Sequence, residues 1–162
     1  MRESGIYVKG KRNGTFTEYY QDGVTPRKET PILQGKIDGT VKTYFRNGKI
    51  EIEKEYKQSV ENGRERRFAN KTGKQIFESH YIDGKKDGEE WEIFEDGRAI
   101  RSKTTCHYRN GKLDGSYRVE STWEGKPYIT IEGQYTDGEK SGQWIQPVSY
   151  THLRAHETDQ YL

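Results

Sequence analysis

The chain contains one cysteine, Cys106, among 162 residues. A single thiol excludes an internal disulfide and a zinc site built from several cysteines. Long hydrophobic runs are missing as well. No stretch approaches the 18 or so apolar residues of a membrane-spanning helix, and no apolar run of signal-peptide type follows Met1. Aliphatic residues are scarce: Leu, Ile, Val and Phe number 27, below the roughly 20% of an ordinary globular core, and mean hydropathy is −1.21. Neither sign of charge dominates. The 28 Lys and Arg against 26 Asp and Glu leave a net charge of +2, which gives no electrostatic footprint for nucleic acid. So polar a composition is one that disordered chains share, for want of apolar surface to offset backbone entropy. What is present argues otherwise: aromatics reach 12%, with twelve Tyr and three Trp, and these point to a thin ordered structure.

Six octets organise the sequence. "YVKGKRNG" begins at Tyr7, "ILQGKIDG" at Ile32, "YKQSVENG" at Tyr56, "YIDGKKDG" at Tyr81, "YRNGKLDG" at Tyr108 and "YTDGEKSG" at Tyr135. Every octet closes on glycine, at Gly14, Gly39, Gly63, Gly88, Gly115 and Gly142. Each is followed by a short aromatic segment and, in most cases, a second glycine turn, as in "TFTEYYQDG" and "EEWEIFEDG". Repeats at this period are the signature of an array in which one supersecondary unit stacks on the next.

The unit reads as a β-hairpin. Asn-Gly and Asp-Gly pairs are strong short-range hairpin signals, because a tight turn needs positive φ, and they place turns at Asn13-Gly14, Asp22-Gly23, Asp38-Gly39, Asn47-Gly48, Asp87-Gly88 and Asp96-Gly97. The runs between alternate in character. In "KIEIEKEY", Ile50, Ile52 and Tyr56 share one face and Glu51, Glu53 and Glu55 the other; "YITIEGQY" repeats the device with Ile129, Ile131 and Tyr135. No long segment carries an apolar stripe of period 3.6, so no helix is expected. The expected fold is all-β: an elongated, twisted antiparallel meander of stacked hairpins over residues 1–147, its tyrosines forming an aromatic ladder.

The pattern Y-x-x-G-x-x-x-G, followed by aromatics and a second turn, resembles MORN repeats. It is most similar to the bacterial variant in the YwqK-type family of proposed antitoxins. "YIDGKKDGEEWEIFEDG" and "LQGKIDGTVKTYFRNGK" carry the likeness, which covers about Tyr7 to Pro147. Ser59 in place of the first octet glycine, Ile32 in place of tyrosine, and wider third and fifth units depart from it. The resemblance implies a hairpin array that contacts other proteins, in some members proposed to neutralise a toxin or to associate with membrane lipid. It carries over no catalytic residue and no cofactor.

The residues themselves offer few chemical sites. As a calcium loop from Asp83, the fourth octet would put Lys85 at position 3 and Phe94 at position 12, where acidic or polar ligands belong. His80 and His107 precede Tyr81 and Tyr108 on strands about 9.6 Å apart, too far for one zinc without a large lean; a solvent-facing or ladder-packing role is expected. Cys106 shares strand parity with Tyr108 and reads as a small core residue. No Ser, Cys or Thr sits in a nucleophile motif, so a non-enzymatic protein is expected. Trp91, Trp123 and Trp144 are the candidate interface residues, since Trp, Tyr and Arg dominate binding hot spots. The expected partner is a protein, a toxin in the sense of the resemblance. Membrane lipid is disfavoured by balanced charge, and a cell-wall glycan by the lack of repeated Gly-Trp and Trp-Tyr-Tyr signatures.

Both ends of the sequence invite comment. The chain opens inside a repeat, with Gly10 already in place; a preceding segment, export signal included, is one expectation, and a cytoplasmic protein starting at Met1 is the other. "VSYTHLRAHET" at Val148–Thr158 fits no repeat. Its His152 and His156 lack the accompanying Glu of a metalloprotease helix. The peptide is similar to one reading frame of a transposase sequencing adapter, so residues 148–162 are expected to be a non-native tail. Resequencing independent clones of the source DNA is expected to show natural coding sequence departing before His156; one that continues through it removes the idea.

Overall fold

The computed structural model describes residues 3–95, 100–123 and 126–146, with side chains from Gly5 onward except that of Trp123. The proposed tail, the turn at Asp96-Gly97 and the side chain of Trp123 therefore lie outside the described residues. Within them the protein is all-β and contains no helix.

Each octet joins two antiparallel strands. The first hairpin is β1 (Glu3–Val8) and β2 (Lys11–Tyr19), and the second is β3 (Pro26–Leu33) with β4 (Lys36–Ile37) and β5 (Gly39–Tyr44). The third pairs β6 (Ile50–Lys57) with β7 (Val60–Phe68). In the fourth, β8 (Gln75–Ile82) meets β9 (Lys85–Lys86) and β10 (Gly88–Glu95). β11 (Ile100–Arg109) and β12 (Lys112–Trp123) make the fifth, and β13 (Lys126–Thr136) and β14 (Glu139–Ile145) the sixth. All belong to one open sheet in chain order, with β4 and β9 as short pieces beside β3 and β8. The meander is elongated, about 50 Å along the strand-to-strand direction at roughly 4.8 Å per step.

The tight turns do not fall where the Asn-Gly and Asp-Gly pairs closing the octets suggested. They occupy the third and fourth octet positions. Lys9 and Gly10, Asp83 and Gly84, Asn110 and Gly111, and Asp137 and Gly138 all have positive φ, as a two-residue type I′ turn requires. The third octet makes the same turn with Gln58 at φ 51° and Ser59 at φ 70°. There the Ser59 hydroxyl accepts the Ile37 N–H at 3.0 Å while the Ser59 N–H donates to the Ile37 carbonyl at 2.7 Å. Asp22-Gly23 and Asn47-Gly48 do lie in turns, those at the opposite edge of the sheet.

Asn13-Gly14, Asp38-Gly39 and Asp87-Gly88 instead sit where the strand after the turn bulges. In the fifth hairpin Tyr108 pairs with Leu113 and Cys106 with Tyr117, so His107 alone faces Asp114, Gly115 and Ser116. Gly115 absorbs the bulge at φ 117°, a backbone state open to few L residues, and a Cβ there would meet His107 Cβ at 3.2 Å. The closing glycine also sets the register to the next repeat. Gly14 pairs with Ile32, Gly39 with Tyr56, Gly63 with Tyr81, Gly88 with Tyr108 and Gly115 with Tyr135. Turns are tied to turns as well: the N–H groups of Gly35, Ser59, Gly84, Gly111 and Gly138 donate to the carbonyls of Arg12, Ile37, Glu61, Lys86 and Leu113 at 2.7–2.9 Å.

A bulge between Val119 and Glu120 corrects one expected alternation. Ile131 pairs with Val119, whereas Ile129 pairs with Glu120 and is 40% exposed. Ile129 and Ile131 do not form one apolar face.

Gly115→Ala is expected to destabilise the protein by about 2 kcal/mol, the scale of a non-glycine residue held in a sparsely allowed backbone state. The check is a urea melt in which the midpoint falls at unchanged slope.

Candidate functional site

The sheet has two unlike faces. One carries the octet tyrosines and a cross-strand row made by the residues two before each octet and two after it. Phe16 pairs with Thr30, Val41 with Lys54, Glu65 with Ser79, Glu90 with Cys106, and Tyr117 with Gly133. Phe16, Val41, Glu65, Ser79 and Cys106 are buried, so this row is the main core of the protein.

At its ends the row is aromatic. Phe16 lies over Gly5 and Trp144 over Gly133, leaving no room for a Cβ at either glycine. Tyr7 meets Phe16 edge-on at 5.8 Å, and Tyr135 meets Trp144 edge-on at 5.2 Å. The sixth octet residue caps each ring with a cation: Arg12 sits 4.8 Å from the Phe16 centroid and Lys140 4.4 Å from that of Trp144.

In the middle the aromatics give way to charge. Lys54 reaches Glu61 at 2.8 Å and Glu65 at 3.0 Å, and Arg67 reaches Glu65 at 2.7 Å. In the next repeat Lys86 pairs with Glu90. Lys54 lies 4.7 Å above the Tyr81 ring and Lys86 4.7 Å above that of Tyr108. The continuous tyrosine ladder is therefore interrupted: among the described residues, ring-to-ring contacts occur at the two ends only, and lysines bridge the centre. Burial pushes the Glu65 carboxyl up, but hydrogen bonds from Lys54 and Arg67 outweigh it and hold Glu65 below the ordinary glutamate range. Lys54 answers in kind: burial draws its ammonium down, and the bonds to Glu61 and Glu65 more than reverse this. Cys106 is a buried thiol pushed up to about 11, by burial first and the Glu90 charge next, an environment that suppresses the thiolate.

The opposite face carries a second row of alternating sign: Glu29, Lys42, Glu53, Arg66 and Glu78 pair in unbroken succession. Arg66 meets Glu53 at 3.1 Å. The row continues through Trp91, Thr105, Arg118 and Glu132. Trp91 thus stands half-buried in a charged row, with Lys103 5.7 Å from its ring, on the face opposite Trp144. Trp91 and Trp144 do not make one patch. His80 and His107 also lie on this face, each partly exposed: His80 Nε2 is 3.7 Å from Glu78, and His107 Nε2 is 3.8 Å from Glu89. No group of three or more metal-ligating side chains occurs among the described residues.

Asp83 and Asp87 link turn to turn. Asp83 accepts from the Asn62 amide at 3.2 Å, and Asp87 from the Asn110 N–H at 3.0 Å. Asp38 does the same for the backbone and side chain of Gln58, and those hydrogen bonds hold its carboxyl below the usual range.

A surface feature escaped sequence reading because it depends on pairing across the turn. The second and fifth octet residues pair on the charged-row face. In four repeats the pair is one aliphatic residue and one lysine: Val8 with Lys11, Leu33 with Lys36, Val60 with Lys57, and Ile82 with Lys85. The fifth repeat pairs Arg109 with Lys112. Val8, Leu33, Val60 and Ile82 are 44–55% exposed.

Lys54→Met is expected to cost about 2 kcal/mol, the range for a lost hydrogen bond to a charged group, and adding Glu65→Leu to restore part of it, an apolar pair replacing an ionic one. The folded pKa of Glu65 is depressed, so its stabilisation is complete above the ordinary glutamate pKa and lost as pH falls through the lowered value. Lys54 behaves oppositely, losing its contribution as pH rises through a raised value. Urea midpoints should therefore fall less from about pH 7 to about pH 3 in Glu65→Gln than in the parent; equal falls would show that the carboxylate is not stabilising.

Compared with protein-family models and with curated proteins, the chain matches none.

Proposed function

We propose that the chain is a non-catalytic repeat scaffold that docks a protein partner, antitoxin-like in the sense of its resemblance to MORN repeats of the YwqK type. The observation that carries this reading is the repeated presentation of one surface chemistry, an exposed aliphatic residue beside a lysine, at equivalent positions of four successive hairpins. Stacked repeats offer extended surfaces of this kind. The titratable groups in the core are spent on pairing: Glu65 and Glu90 on lysines, with Cys106 held as a thiol.

A surface-binding role, with anionic lipid as ligand, draws on the same lysines, since each cation near such a surface adds about 1 kcal/mol. A glycan reading is served less well, because Tyr117, Tyr135 and Trp144 contact one another and leave no parallel slot between rings.

Affinity capture from the native host, followed by mass spectrometry, is expected to recover one protein in near-stoichiometric amount that also binds the purified chain. A clean negative in the host counts against the scaffold reading, and binding to anionic vesicles in flotation without any protein partner replaces it.

A further inference from the structure

Resting on the scaffold reading, we infer that the stripe of paired aliphatic and basic side chains along the octet-turn edge is the docking surface, and that its occupant is an acidic protein segment with apolar side chains about 10 Å apart.

The stripe is not explained by the packing of the sheet. The fifth octet residue has a structural task, because its stem lies over the turn glycine of the next repeat. A Cβ at Gly35 would meet Lys11 Cβ at 4.0 Å, one at Gly84 would meet Val60 Cγ1 at 3.6 Å, and one at Gly111 would meet Lys85 Cβ at 3.7 Å. Either a valine or the methylenes of a lysine serve that task. Nothing in the packing then dictates the second position. Yet it is aliphatic where the fifth is lysine, at Leu33 and Ile82, and lysine where the fifth is valine, at Lys57 facing Val60. The exchange preserves what each of the first four turns presents to solvent, one apolar group and one ammonium, while changing which strand presents it.

Charge identifies the occupant. The second and fifth positions of the first five octets carry six cations and no carboxylate. Among the described residues, Lys11, Lys36 and Lys85 form no ion pair with a carboxylate, whereas Asp38, close enough to Lys57 to feel its charge, and Asp87 join one turn to the next. An acidic partner meets Lys11, Lys36 and Lys85 without displacing an internal ion pair, while Arg109 and Lys112 of the fifth turn are held by Asp114 at 3.6 Å and Asp137 at 2.9 Å; the apolar side chains exposed beside those three lysines reward a partner that is more than acidic. Spacing narrows it further. Equivalent turns lie two strands apart, about 9.6 Å, which is also the mean step between the apolar groups from Val8 on β1 through Leu33 on β3 and Val60 on β7 to Ile82 on β8, with Val60 displaced by one strand; it is close to the roughly 10.5 Å between residues seven apart on a helix. Heptad-spaced leucines flanked by glutamates match both chemistries.

The experiment is a fluorescence-anisotropy titration of a labelled helical peptide with leucine at heptad spacing and flanking glutamates, against a control carrying lysines in their place. The parent is expected to bind the acidic peptide, more weakly as salt rises, and not the basic one. Lys36→Glu with Lys85→Glu, and separately Leu33→Ser with Ile82→Ser, are expected to weaken binding at least about tenfold, with the β circular-dichroism signal unchanged. These sites are exposed, so a folded variant is expected. No binding of the acidic peptide, or equal binding by the charge-reversed variant, overturns the inference. Binding to phosphatidylserine vesicles in place of the peptide overturns it in favour of a lipid surface. The scaffold reading fails separately: if parent and charge-reversed chains capture the same host protein equally, the scaffold stands and the stripe does not; if neither captures any, the scaffold reading falls whatever the peptide does.

Discussion

The sheet depends on one close approach in each hairpin, where the residue two past the closing glycine lies beside the residue two before the octet. Most of what a thin sheet can bury is buried there, so the two must suit each other in volume and charge. The sixth octet residue joins them from the turn. At the ends these three are Arg12, Phe16 and Gly5, and Lys140, Trp144 and Gly133: a large ring, a glycine beneath it and a cation above it. In the centre they are Glu61, Glu65 and Lys54, then Lys86, Glu90 and Ser79, where one lysine neutralises the carboxylates and covers the next tyrosine. Each set is consistent within itself and unlike its neighbours. A protein short of aliphatic residues holds its middle with paired charges, whose net worth depends on every member being satisfied. Ser79, buried with its hydroxyl unpartnered, is where the set is least complete.

The glycine bulge gives that approach its place along the chain. Because the closing glycine of one octet pairs with the opening residue of the next, an aromatic ring or Ile32 stands across from a residue with no side chain. The two extra residues beside His107 in the fifth hairpin re-aim the strand after the turn, so that the side chain two past the glycine falls back over the core row. The same bulge explains why Asn-Gly and Asp-Gly at octet positions seven and eight mislead as turn signals. The glycine there is required for a φ of 92–117° at the bulge, and Asp38 and Asp87 are required to reach the following turn.

Period and class were legible in the sequence, since six octets in register with alternating flanks leave little but a hairpin array. Which dipeptide turns the chain was not, because Asn110-Gly111 and Asp87-Gly88 look alike as strings and differ only in register. The faces were half legible. Alternation put Ile52 opposite Glu53 correctly, but the bulge at Val119 and Glu120 breaks the same reasoning for Ile129. The candidate site was the least legible part. Trp91 and Trp144 stand out by residue type, yet one sits in a charged row and the other in the core row of the opposite face. The pairing of Lys57 with Val60 has no signature along one strand and emerges only across the turn.

Charge balance across the whole chain conceals a local imbalance. The carboxylates are drawn into places where backbone and pairing hold them: Glu29, Glu53 and Glu78 in the alternating row, Asp38 and Asp87 between turns, Glu65 and Glu90 in the core. The lysines divide differently. Lys42 and Lys54 pair with those acids, whereas at the octet edge the stems of Lys11 and Lys85 lie over the next turn glycine and Lys112 pairs with Asp137. A net charge of +2 therefore does not describe the field at any edge of the sheet. Fields of bound charge fall off within about 8 Å at physiological ionic strength, less than the width of one repeat, so each turn presents its own charges: Lys9, Lys11 and Arg12 without an acid in the first octet, Lys85 and Lys86 beside Asp83 and Asp87 in the fourth. The near-neutral composition follows from where the acids are needed for structure, and it does not report the charge that any one turn presents.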